Sequence, residues 1–338
     1  MRGNILLRRI GILTSGGDAP GMNPCIRSVV RTAIYNNLEV VGIRRGYCGL
    51  IEKDFENMER SSVADIIHRG GTILLTARSE RFYKKKFRLK AYNNMKEEGI
   101  EGLVVIGGNG SLRGAQKIEE EFNIPVIGVP GTIDNDLSCT DLTIGFDTAM
   151  NTVLDAINKI RDTATSHERT FVIETMGRNA GFLTLMTGLA GGAESILIPE
   201  INYNIEEICE KIKQGYKRGK LHSIVLVAEG IDGDLKKNRS RCESKATYIG
   251  DEINKRTGLE TRIIILGHLQ RGGRPTAMDR ILASRMGARA VELLLDNIGN
   301  KMVSYKDNEI EVFDIDQVLE KEKKINKDIF NLAHILSL

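Results

Sequence analysis

Apolar positions along this chain fall into two alternating patterns. Unbroken apolar-rich runs read as buried strands: Ile10 to Thr14, Val40 to Ile43, Leu103 to Ile106, Val126 to Val129, Thr170 to Glu174, Ser195 to Ile198, Ser223 to Ala228 and Arg262 to Leu266. Between them apolar residues recur at helical spacing, as in Ile26, Val29, Val30 and Ala33, or Met150, Val153, Leu154, Ile157 and Ile160. A continuous run bounded by turn residues suits a strand covered on both faces; the wider spacing suits an amphipathic helix. Strands alternating with helices from end to end predict an α/β fold with mainly parallel sheets covered by helices. No low-complexity linker marks a domain boundary. Asp232 to Ala246 is polar and charged and reads as a surface loop, as does Lys84-Lys85-Lys86.

The strand ends carry the candidate chemistry. Val126, Ile127 and Val129 run into Pro130-Gly131, which stops the strand, and Thr132, Asp134 and Asp136 follow. A hydroxyl and two carboxylates thus stand at a strand end, where parallel α/β sheets place ligands. Such a pair suits a general base beside a metal-directing acid, although a polar turn with local side-chain bonds has the same composition. Two further strand ends weigh on that choice. Ile10 to Thr14 leads into Ser15-Gly16-Gly17-Asp18-Ala19-Pro20-Gly21 and then a helix. Leu103 to Ile106 leads into the loop Gly107-Gly108-Asn109-Gly110-Ser111 and a helix from Leu112 to Glu121. Strand, Gly-rich loop and helix let backbone N–H groups approach a phosphate. Neither loop contains Lys or matches the P-loop or dinucleotide fingerprints. Together the three segments point to phosphate chemistry.

Composition narrows the class. The 338 residues are 41% hydrophobic and 28% charged, enough for one large or two ordinary domains with real cores. A net charge of +3 with no basic domain gives no footprint for nucleic acid. The absence of Trp argues against base-stacking platforms. Cys25, Cys48, Cys139, Cys209 and Cys242 are scattered without a C-x-x-C, as in a reduced cytoplasmic protein. Met1 to Arg9 carries basic residues but no long apolar region, so neither a signal peptide nor a membrane span is expected.

Six motifs, in this order, resemble those of the bacterial-type ATP-dependent 6-phosphofructokinase (phosphofructokinase A) family. They are G-G-D-A-P-G-M-N (16–23), G-G-T-I-L-L-T-A-R-S (70–79), G-G-N-G-S (107–111), P-G-T-I-D-N-D (130–136), M-G-R-N-A-G (176–181) and G-H-L-Q-R-G-G (267–273). The resemblance spans roughly residues 8 to 300 and is weaker beyond. It implies two Rossmann-like α/β domains with a cleft between them. A nucleotide-binding domain is expected over 1–145 plus about 268–312, and a sugar-phosphate-binding domain over 146–267 plus the C-terminal segment. The implied activity is the glycolytic phosphorylation of D-fructose 6-phosphate by ATP, with Mg²⁺, in a cytoplasmic homotetramer.

The same resemblance assigns residues. Gly17, Tyr47, Arg78, Ser79, Gly108, Asn109, Gly110, Ser111 and Gly114 are expected on the nucleotide. Gly110 and Gly131 match ATP-using relatives; pyrophosphate-using ones carry Asp and Lys there, which would fill nucleotide space. Asn109 stands where the family has Asp. Mg²⁺ prefers carboxylates, so weaker metal binding by Asn109 and Asp136 is expected. Asp134 is the expected general base, with Thr132, Arg178 and Gly17 completing the catalytic set. Ile133, Met176, Gly177, Glu229, His268 and Arg271 are expected on the sugar phosphate, and Arg169 and Arg262 reach in from a neighbouring subunit. Arg27, Arg31, Arg60, Arg161, Glu194, Arg218 and Lys220 match binders of ADP or phosphoenolpyruvate as effectors, whereas Ala64 and Leu221 differ from regulated relatives. Two alternatives remain: a pyrophosphate-dependent enzyme of the same fold, and a catalytically impaired regulatory subunit, which Asn109 favours.

Overall fold

The structure is a computed structural model that describes residues 7–231 and 244–337. Its strands are β1 (Arg9–Thr14), β2 (Glu39–Ile43), β3 (Phe55–Met58), β4 (Gly102–Gly107), β5 (Val126–Pro130), β6 (Thr170–Thr175), β7 (Ser195–Leu197), β8 (Ser223–Ala228), β9 (Thr261–Ile265), β10 (Lys301–Lys306) and β11 (Glu309–Asp314). Its α-helices are α1 (Met22–Tyr35), α2 (Tyr47–Glu52), α3 (Lys85–Glu97), α4 (Asn109–Phe122), α5 (Phe146–His167), α6 (Phe182–Ala190), α7 (Ile205–Lys217), α8 (Lys245–Thr257), α9 (Ala277–Leu295), α10 (Ile315–Glu320) and α11 (Lys327–Leu336). The chain forms two compact units, Met1–Thr148 with Arg271–Lys323, and Ala149–Gln270 with Lys324–Leu338.

The first unit holds a sheet of order β11-β10-β5-β4-β1-β2-β3. Its centre, from β10 to β2, is parallel; β3 and β11 pair antiparallel at the two edges. Successive strand residues face opposite sides of a sheet. Leu13, Leu103 and Val105 accordingly join one core with Ala91 and Met95 of α3, Leu112 and Ile118 of α4, and Ile315 of α10. Ile10, Ile12, Val104 and Ile106 alternate with them and are fully buried on the opposite face, where α9 packs on β4, β5 and α1. The chain runs from β1 outward through β2 and β3, then returns to place β4 on the other side of β1. That reversal leaves a crevice at the carboxyl ends of β1 and β4, the usual ligand position in such sheets.

The second unit holds a parallel sheet of order β7-β8-β6-β9. Val172, Leu197, Val225 and Val227 of this sheet share a core with Ile208 and Ile212 of α7 and Ile249 and Ile253 of α8. Strand order again reverses at β6, which lies between β8 and β9.

Several elements differ from the sequence reading. β3, β10 and β11 join the eight expected strands. The β10–β11 hairpin turns on Asp307 and Asn308, both left-handed at φ 49° and 68°, as a two-residue hairpin turn requires. The expected loop at 107–111 is shorter: α4 begins at Asn109, so Asn109, Gly110 and Ser111 form its first turn. Lys85 and Lys86 are exposed as expected but open α3, because Ala91 and Met95 bury that helix against the core. Of the expected loop from Asp232 to Ala246, residues 232–243 lie outside the described residues; Ser244 caps α8 and Lys245 and Ala246 belong to it. Among the described residues no helix is long and apolar enough to cross a membrane.

Candidate active site

Three neighbouring strand ends build the site of the first unit. The backbone of Ser15, just past β1, donates to the carbonyl of Ile106 in β4 at 3.0 Å, and Gly131, just past β5, donates to Gly107 at 3.1 Å. This approach requires Gly107 to lack a side chain: a Cβ there would stand 2.6 Å from the Ser15 carbonyl. The first turn of α4 therefore opens directly at the crevice. Its leading N–H groups are those an α-helix leaves unpaired, and they favour an anion. A Cβ on Gly110 would meet nothing within 4 Å, so this turn faces open space. At Gly131 a Cβ would stand 2.8 Å from Ile106, so a long side chain there requires repacking.

The turn after β5 is held from several sides. Thr132 accepts the Asp134 N–H at 3.2 Å through its hydroxyl. The Thr132 N–H donates to Ile144 at 3.1 Å, and the Thr143 hydroxyl donates to the Thr132 carbonyl at 2.5 Å. Asn135 takes a left-handed backbone at φ 51°, accepts the Thr143 N–H at 3.1 Å and donates to the Asp141 carbonyl at 3.0 Å. Asp134 is only 3% exposed. The Asn109 amide, from the first turn of α4, donates to Asp136 at 2.9 Å. These two residues thus share one corner of the crevice. Among the described residues no cluster of three or more His, Cys, Asp or Glu could hold a metal. One carboxylate beside an amide fits a Mg²⁺ that arrives on phosphate oxygens and keeps water ligands, not a protein cage.

The first Gly-rich loop is pinned to the 70–79 segment. Asn23 accepts the Ile73 N–H at 2.8 Å and donates to the carbonyls of Arg69 and Gly70, and Thr76 donates to the Gly16 carbonyl at 2.8 Å. Arg78 is exposed and Ser79 half-buried at the end of this segment. Arg271 lies over Gly17 and donates to the Asp18 carbonyl at 3.1 Å, so the residue expected on the sugar phosphate rests here on the Gly16–Asp18 loop.

Three expected contacts need correcting. Tyr47 is 5% exposed, stacks on Phe82 and donates to the Ser111 carbonyl at 2.5 Å; burial pushes its phenol far up. Its ring covers Gly114, where a Cβ would stand 2.6 Å from it. Tyr47 and Gly114 therefore support the first turn of α4 from behind. The Ile133 side chain is fully buried, because the turn folds it into the core, and only its backbone can face a ligand.

In the second unit, residues at the carboxyl ends of β8, β6 and β9 come together. Glu229 accepts the N–H groups of Gly177 and Arg178 at 3.2 and 2.7 Å. Arg178 is exposed on a left-handed backbone at φ 55°, unusual for a residue with a side chain and typical of functional loops. Buried Gln270 accepts the Met176 N–H at 3.1 Å and donates to Gly267 at 3.0 Å, fixing the turn that exposes His268. Arg169 and Arg262 are not part of this group. Both pair with Glu260 at the opposite end of the sheet, Arg169 at 2.9 Å. Seven residues of extended chain separate Arg169 from Met176, about 20 Å. Near that same end Glu194 pairs with Lys220 at 2.7 Å and accepts the Ile224 N–H, and Arg161 donates to Gly191. Arg218 caps α7. In the first unit Arg27 and Arg31 lie on α1, with Arg31 and Arg60 exposed.

Sequence reasoning missed Asn23, Asn135 and Gln270. Each stands inside a quoted motif, next to residues it did single out, but its role is to bond backbone that only folding brings near.

Known proteins share this arrangement. Residues 9–294 match the Phosphofructokinase family. The ATP-dependent 6-phosphofructokinase of Halothermothrix orenii is 68% identical over 332 residues, 98% of this chain and 100% of that protein. That of Thermoanaerobacter sp. (strain X514) is 57% identical over the same shares. The T-state crystal structure of Pichia pastoris phosphofructokinase is 34% identical with a TM-score of 0.87, covering 98% of this chain and 37% of that one. This chain thus spans little more than a third of the fungal chain but the whole of the bacterial ones. With that family match over residues 9–294 and these identities over nearly the whole chain, the chain belongs to the phosphofructokinase family.

Proposed function

We infer that this chain transfers the γ-phosphoryl group of ATP to the 1-hydroxyl of D-fructose 6-phosphate, giving fructose 1,6-bisphosphate and ADP. The observation that carries the reading is the braced turn with Thr132 and buried Asp134 beside the open first turn of α4. Asp134 accepts the proton of the sugar hydroxyl as its oxygen attacks phosphorus. The N–H groups of α4 and of the Gly16–Asp18 loop hold the donor phosphates. Arg178 offsets charge on the transferring group, and Glu229 and His268 orient the sugar phosphate. Asn109 and Asp136 would hold Mg²⁺, which would supply neutralisation of the donor's phosphate charge.

Gly110 supports ATP over pyrophosphate, because open space above it leaves room for a nucleotide. Arg169 and Arg262, at the far end of their sheet, support a site completed by a second copy of the chain, and hence a homotetramer. The Arg161, Glu194 and Lys220 cluster supports an ADP or phosphoenolpyruvate effector site at a subunit interface, to which Arg27, Arg31, Arg60 and Arg218 are the other expected contributors. Free thiols at Cys25, Cys48, Cys139 and Cys209 suit the cytoplasm. One observation favours the regulatory-subunit alternative: Asn109 supplies an amide where a second carboxylate would serve the metal. A coupled assay of fructose 1,6-bisphosphate formation decides, with ATP and pyrophosphate in parallel. Turnover with ATP alone is expected; turnover with pyrophosphate, or with neither, would overturn the reading.

A further inference from the structure

The exit of the catalytic turn is gripped by a segment that carries none of the family motifs. Ser138 donates to the Val318 carbonyl of α10 at 2.7 Å. Three residues on, Asp141 is fixed to the β10–β11 hairpin: its N–H donates to the Tyr305 carbonyl at 2.7 Å, and its carboxylate accepts the Asp307 N–H at 2.9 Å. The Asp141 carbonyl then accepts two donors, each at 3.0 Å. One is Asn135, the residue between Asp134 and Asp136; the other is the ammonium of Lys323, just past α10. A carbonyl has two lone pairs, and here both are used.

We propose that Lys323 is a positioning residue for phosphoryl transfer, fixing with a charged donor the carbonyl that anchors Asn135, the residue between Asp134 and Asp136. The ammonium is partly buried. Burial pushes it down to about 8, and the carboxylates of Asp141 and Asp136 act in the opposite direction. Asp136 is also the carboxylate that accepts the Asn109 amide of α4, so a shift of the neighbouring Asn135 reaches the link between the turn and the donor-side helix. Neutralising Lys323 removes a charge-assisted donor from the Asp141 carbonyl and loosens the anchor of Asn135.

The proposal rests on the phosphotransferase reading, and the wild-type rate with ATP tests that reading separately. The experiment compares full-length wild type with Lys323→Arg, Lys323→Gln and Lys323→Met by steady-state kinetics and thermal melting. Lys323→Met is expected to lower kcat roughly tenfold, the scale of a small misplacement of reacting groups, with KM for fructose 6-phosphate changed less than about twofold. Lys323→Arg, which keeps the charge, restores kcat to within about threefold of wild type, whereas Lys323→Gln, which keeps only a donor, does not. Wild-type kinetics in Lys323→Met would overturn the proposal, as would rescue by Gln equal to that by Arg. Losses of kcat in all three variants that merely track a falling melting temperature would reduce Lys323 to a strut and overturn it too.

Discussion

Single atoms decide the chemistry at Asp134 and at Asn109. Asp134 is buried, and its own N–H is held by the Thr132 hydroxyl, which fixes the backbone that carries the carboxylate. Asp134→Asn keeps the shape and removes the proposed base. It is expected to lower kcat about 10²–10⁴-fold and leave the KM for fructose 6-phosphate nearly unchanged; a variant retaining a third of wild-type kcat would remove Asp134 from that role. Asn109 donates to Asp136, and an aspartate there would face a like charge instead. Without Mg²⁺, Asn109→Asp is therefore expected to melt below wild type, and Mg²⁺ with ATP is expected to restore the difference. In kinetics the same variant lowers the free Mg²⁺ needed for half-maximal rate. An unchanged Mg²⁺ dependence in both melting and rate would show that this side chain does not face the metal.

At the scale of elements, the start of α5 and the start of α9 cap each other. Asp279 accepts the N–H groups of Gly145 and Thr148, each at 2.8 Å, and the Thr148 hydroxyl at 2.5 Å. In return Thr148 accepts the Thr276 N–H at 3.0 Å, and Asp147 accepts the Thr276 hydroxyl at 2.5 Å. A carboxylate suits a helix N-terminus, but burial raises this one from 3.8 to about 6. The folded state therefore binds a proton more tightly than the unfolded chain does. Asp279 contributes stability that is fully present below pH 3.8 and is lost as pH rises through about 6, by about 3 kcal/mol. Asp279→Asn removes this titration and leaves N–H donors facing an amide that cannot accept them all, a cost of about 1–3 kcal/mol for each unsatisfied group. Denaturant unfolding at several pH values is expected to give a gap between wild type and variant that widens from pH 7.5 to pH 5. A gap independent of pH would assign the effect to hydrogen bonding alone.

For the whole molecule, the position of Arg169 and Arg262 is the deciding feature. They pair with Glu260 at one end of the second sheet, while Arg178, Glu229 and His268 stand at the other. On the proposal that a second copy supplies these arginines, dissociated subunits are expected to lose affinity for fructose 6-phosphate, and Arg262→Ala to raise its KM with little effect on the KM for ATP. A monomer fully active in dilute sedimentation and kinetic runs would contradict the shared site. Much of this protein follows from its sequence alone. Buried strands announce themselves because burial on both faces requires unbroken apolar runs, and chemistry gathers at strand ends because loops there are free of the core. Eight strands and the three phosphate-side segments were legible for those reasons. The β10–β11 hairpin went unread, because its Asp307-Asn308 turn lies between two half-buried strands with no unbroken apolar run. Tertiary structure alone decided the rest. It put Tyr47 behind α4 rather than before it, set Arg271 on the Gly16–Asp18 loop, and joined Asn135 and Lys323 on one carbonyl across 188 residues of chain. Hydrogen bonds to backbone carbonyls leave no residue-type signature at the accepting end, so no reading of side chains along the chain could have named those partners.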